Sequence, residues 1–176
     1  MPTSVGSEVP VRPRSLDSFL QHARIPFTGF RHPPAYTAQE EAAVSHIPGC
    51  SWAKIVVCAA DSELILAVVP AHRMVDLEAL RELAGAVIIR LAHEREFARS
   101  YPDCEPGAMP PFGGLYQQRV FVDRSLVGEA EMVFNAGTHT DAIRMHYEDF
   151  AELASPVVGA FARPAAAGAG AEPASV

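Results

Sequence analysis

The chain has 176 residues, with 14 basic against 21 acidic side chains, a formal charge of −7 and 49% hydrophobic residues. That is enough apolar material for one domain with its own core. The acidic balance excludes a broad phosphate-binding face, which needs clustered Lys and Arg, so DNA is not an expected partner.

Residues 1–14 are rich in Ser, Pro and Val without periodicity and read as a disordered tail. The folded domain is expected over 15–162. Ser15 caps a short helix whose apolar face is Leu16, Phe19, Leu20 and Ala23, and Pro26 ends it. Phe27 to Tyr36 reads as extended chain. Thr37 and Glu40 have capping-box spacing ahead of Ala42, Ala43 and Val44, so a second helix starts at Thr37 and stops before Pro48-Gly49. Ala53 to Ala60 and Leu64 to Val69 are β-branched runs separated by Asp61-Ser62-Glu63, which predicts a hairpin, and their near-continuous apolar character implies burial on both faces.

Asp76 caps the next helix, with Leu77, Leu80, Leu83 and Ala84 at helical spacing and Gly85 just past its end. Ala86 to Leu91 is expected to be a strand and His93 to Tyr101 a short helix closed by Pro102. After a long loop come strands near Arg119 to Asp123, Glu131 to Asn135 and Ala142 to His146, then a helix around Tyr147 to Ala154. Residues 163–176 form an Ala/Gly/Pro run with little to bury and read as a second tail. Short strands among short helices indicate a mixed α+β domain, not a regular βαβ wheel.

The loop from Asp103 to Gly114 is the least ordinary segment. Loops of this length without helix or strand are uncommon in compact domains. Prolines 106, 110 and 111 fix φ while glycines 107, 113 and 114 permit conformations a Cβ forbids, so the loop is expected to be rigid and able to aim bare N–H groups at a ligand.

Lys54 opens an apolar strand, where a cation is costly unless it reaches water or an anion. The plainer reading is a lysine snorkelling at a strand edge; the functional one is a pocket cation for a carbonyl or phosphate. His139, in the polar turn Gly137-Thr-His-Thr-Asp141, has the chemistry to bind a substrate or move a proton near neutral pH, although a loop histidine is more often simply solvated. His22, His46, His93 and His146 fall at ordinary element positions, while His32 and His72 lie in loops. The histidines show no HxxxH or HxH pairing, and Cys50, Cys58 and Cys104 show no CxxC spacing, so neither metal nor disulfide framework nor cofactor is expected. No GxSxG elbow is present, and Ser125 reads as a turn after a strand. The GxxxxGK[ST] and GxGxxG fingerprints are absent too. Apolar runs such as Leu64 to Pro70 are too short to cross a bilayer, and no signal core precedes them, so a soluble cytoplasmic protein is expected.

Five segments in order resemble the YbaK and prolyl-tRNA synthetase associated editing domain family: Lys54 within its strand, Val-Val-Pro70 followed by Arg73 to Leu77, Glu105-Pro-Gly-Ala-Met-Pro-Pro-Phe-Gly113, Val-Asp-Arg-Ser-Leu126 and Asn135-Ala-Gly137. The resemblance covers about Thr37 to Phe161. It implies a mixed, partly barrel-like β-sheet surrounded by short helices, and trans-editing, the hydrolysis of a wrong amino acid from the end of a tRNA. Residue by residue, it implies that Lys54 contacts the terminal adenosine or ester region. It also implies that Gly107 and Pro111 form a GxxxP loop whose amides orient the aminoacyl carbonyl, and that Gly137 and His139 lie in a turn lining the amino-acid pocket. Ala108, Met109 and Phe112 of the loop, with His32 and Tyr36 of the segment His32 to Glu40, complete the expected substrate-binding set.

An aminoacyl ester is already activated, so positioned backbone donors and a water suffice without a nucleophilic side chain. The implied partners are the acceptor end of a mischarged tRNA and, as a further partner the resemblance allows, an aminoacyl-tRNA synthetase. Two alternatives stay open from the residues: a non-catalytic module of the same fold that binds a nucleotide or aminoacyl group or docks on a synthetase, and a hydrolase of another small ester.

Overall fold

The computed structural model describes residues 16–165. Ser15, both expected tail segments up to residue 14 and the stretch from 166 onward lie outside the described residues. In chain order the elements are α1 (Leu16–Ala23), β1 (Thr28–Arg31), α2 (Ala38–Val44), β2 (Ala53–Ala60), β3 (Glu63–Pro70), β4 (Arg73–Val75), α3 (Leu77–Ala84) and β5 (Ile89–Leu91). They continue with α4 (Glu94–Phe97), β6 (Arg119–Asp123), β7 (Glu131–Asn135), β8 (Asp141–His146), α5 (Tyr147–Ala154), β9 (Val157–Gly159) and β10 (Ala162–Pro164). Among the described residues no helix is long and apolar enough to cross a membrane.

The β2–β3 hairpin is the centre of the molecule. It is antiparallel from Ala53 opposite Pro70 to Ala60 opposite Glu63 and stands within a sheet of order β5-β2-β3-β6-β9, in which β3–β6 and β6–β9 are parallel. A second sheet, β1-β8-β7, is antiparallel throughout. One parallel bridge, Trp52 to Val133, joins the two sheets. The result is the mixed α+β domain expected from the sequence, without closure into a barrel.

Both faces of the hairpin are covered, as its unbroken apolar runs require. Ile55, Val57, Leu66 and Val68 face a cluster with Phe112, Phe134 and Phe150. Val56, Cys58, Ile65, Ala67 and Val69 face another with Leu80, Phe121 and Phe161. At about 1.5–3 kcal/mol for each fully buried large apolar side chain, these two clusters supply the dominant favourable term. A third, smaller cluster of Ala42, Trp52, Ala71, Val133 and Ala142 fills the seam between the sheets, and the candidate site lies there.

The caps form as the sequence dictates. Thr37 and Glu40 make both halves of a capping box, and Asp76 accepts from the Ala79 N–H while Gly85 takes φ +68°. Beyond the short strands β4 and β9, which were not expected, three features differ from expectation. The strand expected from Ala86 is confined to Ile89–Leu91, because the Val87 and Ile88 N–H groups donate to the Asp61 carboxylate instead of to a neighbouring strand. In α2, Ala43 and Val44 are exposed, and the covered face carries Glu41 and Ala42. Third, Arg163 and Pro164, placed in the C-terminal tail by composition, belong to β10, which pairs with β4. Buried Asp123 holds that segment by accepting from the Phe161 and Ala162 N–H groups at 2.8 and 2.7 Å.

The long loop is anchored by side chains that point inward. The Phe112 ring packs against Phe19, Phe134 and Phe150 with centroids 5.4–5.6 Å apart, and Met109 joins the same cluster. Gly113 passes so close to the main chain of Gln118 that a Cβ would collide with its carbonyl oxygen. Because that neighbour is backbone, it has little room to yield. Gly113→Ala should therefore lower stability by about 1–3 kcal/mol, as other overpacked sites do. Urea denaturation with an unchanged midpoint would show that the loop relaxes there at no cost.

Candidate active site

The segment Glu105-Pro106-Gly107-Ala108 has proline and glycine where a type II β-turn wants them. The structure forms that turn: the Ala108 N–H donates to the Glu105 carbonyl at 3.0 Å, and Gly107 sits at φ +83°, which a residue with a Cβ rarely adopts. Two backbone hydrogen bonds attach the turn to the Gly137 region, Glu105 N–H to Gly137 O at 2.8 Å and Gly137 N–H to Ala108 O at 2.9 Å. Gly137 itself has φ +98°. The two glycines singled out in the sequence are therefore parts of one main-chain unit. No hydrogen bond among the described residues uses the Gly107 N–H.

His139 holds this unit from behind. Its Nε2 lies 2.7 Å from the Pro106 carbonyl oxygen, which only accepts, so Nε2 carries the proton. Its Nδ1 lies 2.9 Å from Glu41 Oε1, and its backbone N–H donates to Glu105 Oε2 at 2.8 Å. Glu41, 1% exposed, also accepts from Asn135 Nδ2 at 2.8 Å through its other oxygen. Both ring nitrogens of His139, read from the sequence as able to bind a substrate or move a proton, are occupied by protein partners, and the ring acts as a strut.

Burial disfavours charge on His139, yet the Glu41 carboxylate and the Pro106 carbonyl outweigh it and raise the imidazole pKa above its ordinary value. Burial also raises Glu41, exceeding the opposing hydrogen bonds from His139 and Asn135. The two shifts have different causes: partners raise His139 against its burial, and burial raises Glu41 against its partners.

Lys54 is partly buried on β2, opposite Val69. It lies two residues beyond Trp52, and Asn135 lies two beyond Val133, the other half of the inter-sheet bridge, so alternation puts both residues on the bridge's side of their strands. Tyr36 is 69% exposed with its ring 5.5 Å from that of His139. His32 is buried against Trp52, with its Nδ1 donating to the Pro33 carbonyl at 2.8 Å.

The remaining expected binding residues are placed differently. Ala108, Met109 and Phe112 have buried side chains, the last two in the core, so only their main chain is offered to a ligand. Pro111 is buried between them. On the outer side of the same loop lies a cleft of about 600 Å³ lined by Leu16, Asp17, Cys104, Pro110, Tyr116 and Gly137. Burial pushes the Cys104 thiol pKa up, the opposite of what an activated nucleophile requires. Ser125 is engaged as well, its hydroxyl donating to Asp123.

Glu105 and Asn135 entered the sequence reading only as members of family-like segments, and Glu41 not at all. Glu41 carried one usable signal: it shares the inward helical face with Ala38, Ala42 and Ser45, where a lone acid is out of place.

The aminoacyl-tRNA editing domain family matches residues 32–153, which includes the turn, its strut and Lys54. The chain belongs to that family. Among solved structures, this editing domain superposes with a TM-score of 0.75 at 18% identity on a protein described only as hypothetical, covering 84% of this chain and 98% of that one. It superposes at 0.69 and 22% identity on a candidate trans-editing enzyme for prolyl tRNA synthetase, covering 78% and 87%. A scaffold protein used for computational grafting of linear epitopes gives 0.69 at 19% identity, covering 79% and 88%. These likenesses establish the fold. No protein of curated function matches the sequence. The editing-domain match leaves out α1, the edge strands β1 and β9 of the two sheets, and β10, which pairs with β4.

A histidine whose folded pKa is raised adds stability that is full below its ordinary value of 6.5 and is lost as pH rises through the raised value. The Glu41 shift has the same sign, since the folded state holds its proton more tightly than the unfolded chain. The thermal midpoint of the editing domain should therefore decline as pH rises above 6.5 more steeply than that of a His139→Ala variant. Parallel profiles would refute the raised His139 pKa.

Proposed function

We propose that this editing domain is a trans-editing deacylase, a hydrolase that cleaves the ester between a wrong amino acid and the terminal ribose of a tRNA. The observation that carries the reading is the Gly107 N–H, which has no acceptor among the described residues and lies at the tip of a turn tied by hydrogen bonds to the Gly137 main chain. Such a donor is fixed before the substrate arrives, which is what stabilisation of a developing oxyanion requires.

In this reaction the ester carbonyl oxygen accepts from Gly107 N–H. Water attacks the carbonyl carbon, and the tetrahedral intermediate collapses by breaking the bond to the ribose oxygen. The products are the free amino acid and the tRNA hydroxyl. The proton released by the water travels to the departing ribose oxygen, relayed by the substrate's own amine or vicinal hydroxyl. Lys54 binds the phosphate and ribose of the tRNA end. The exposed Tyr36 ring offers a face on which the terminal base can stack, an interaction of about 1–3 kcal/mol for a base on an aromatic side chain.

The charge of −7 limits the grip to the acceptor end. Tight binding of the whole tRNA then calls for a partner, and a synthetase that holds the same tRNA is the partner this reading takes. Selection of the amino acid rests on pocket size, which separates one methylene by about 1–3 kcal/mol.

A panel of mischarged tRNAs, run beside the corresponding small aminoacyl esters, tests the reading: release from at least one tRNA is expected, and release from none refutes it. Cleavage of the small esters alone would assign a different hydrolase. Lys54→Ala should remove most deacylation while leaving the unfolding transition in place. Gly107→Val should lower the rate about 10²–10³-fold, because a β-branched residue does not hold φ +83° and the amide is lost to the substrate. Full activity in either variant would refute the role given to that residue.

A further inference from the structure

The strut formed by Glu41 and His139 ends on one particular atom, and the choice of atom matters. A trans peptide is planar, with its C=O and N–H directed oppositely. The Pro106 carbonyl and the Gly107 N–H belong to the same peptide unit, so fixing the carbonyl on His139 Nε2 fixes the direction of the amide. Types I and II β-turns differ chiefly by a flip of this central peptide. With proline before it and glycine after it, the unit has two accessible orientations, and the observed φ of +83° at Gly107 is that of type II. The turn hydrogen bond from Ala108 to Glu105 is common to both, so it does not select between them.

We infer that Glu41 is a positioning residue that selects the type II orientation through His139 and thereby aims the Gly107 N–H at the substrate carbonyl. The inference rests on the editing reaction proposed above for its effect on rate, but not for its effect on the turn. Glu41 reaches across 98 residues of chain to His139 and across 94 to Asn135, and each of its carboxylate oxygens has one partner. Asn135 fixes the carboxylate, the carboxylate fixes the ring, and the ring fixes the peptide. The other groups facing the pair are the Glu105 carboxylate, which holds the His139 main chain, His32, and the Tyr36 ring. None of these contacts the Pro106 carbonyl in the structure.

Two substitutions separate this role from simple packing. In Glu41→Gln the amide oxygen accepts from Asn135 and the amide nitrogen donates to Nδ1 of a neutral, Nε2-protonated His139, so the strut survives without its charge. In Glu41→Ala it does not. Amide hydrogen exchange and nitrogen NMR of the imidazole are read in both, together with single-turnover deacylation of whichever mischarged tRNA the wild type accepts.

The expected result for Glu41→Ala is loss of exchange protection at the Gly137 N–H, loss of the fixed Nε2–H tautomer, and a fall in the deacylation rate of about 10²-fold with KM nearly unchanged. Glu41→Gln should keep the protection, the tautomer and most of the rate, and should move the His139 titration downward. Protection and rate both intact in Glu41→Ala would overturn the inference. If Glu41→Ala does not fold, a folded Glu41→Gln that loses the tautomer and the protection would overturn it equally. Should the wild type deacylate nothing, the exchange and NMR results still decide the inference while the editing reading alone fails.

Discussion

A carboxylate out of water must have its oxygens satisfied, and Glu41 meets that demand with side chains from the far end of the chain. The site depends on this condition. Helix α2 brings the carboxylate to the seam between two sheets, β7 brings Asn135, and the turn before β8 brings His139. None of the three has a reason to be where it is without the other two. Satisfying one buried acid therefore assembles the support behind the 105–108 turn.

The loop in front of that support is set by packing. Met109 and Phe112 drive the second half of the long loop into the core, and Gly113 allows the chain to graze Gln118. That leaves the first half, Glu105 to Ala108, as a turn held by its own hydrogen bond, by two backbone bonds to Gly137 and by the histidine. The loop has a hydrophobic root and a polar tip, and its rigidity comes from the root.

Much of this architecture was legible in the residues. The Thr37–Glu40 box, the Asp76 and Gly85 caps and the β2–β3 hairpin follow from local spacing, and local rules suffice where a segment settles its own hydrogen bonds. The Pro-Gly pair at 106–107 announced a special turn for the same reason. What stayed hidden was decided at a distance. Glu41 stands beside Glu40 in the sequence, yet one acid caps its own helix in water and the other is buried against His139. Met109 and Phe112, read as pocket lining, point the other way because three aromatic rings are waiting in the core. β10 is unremarkable in composition and exists because β4 and Asp123 supply partners for it.

The role proposed for the Gly107 main chain has an evolutionary consequence. When the working group of an enzyme is a peptide N–H, every amino acid but proline supplies it, and the gene records no nucleophile for selection to guard. Under that proposal selection falls on whatever shapes the backbone, here Pro106, Gly107 and Glu41. Lineages are free to exchange nearly everything else, and structures sharing only 18–22% of their residues with this chain still share its fold. Loss of function by drift would leave an equally faint trace, a single Gly or Glu replaced in a chain that folds as before.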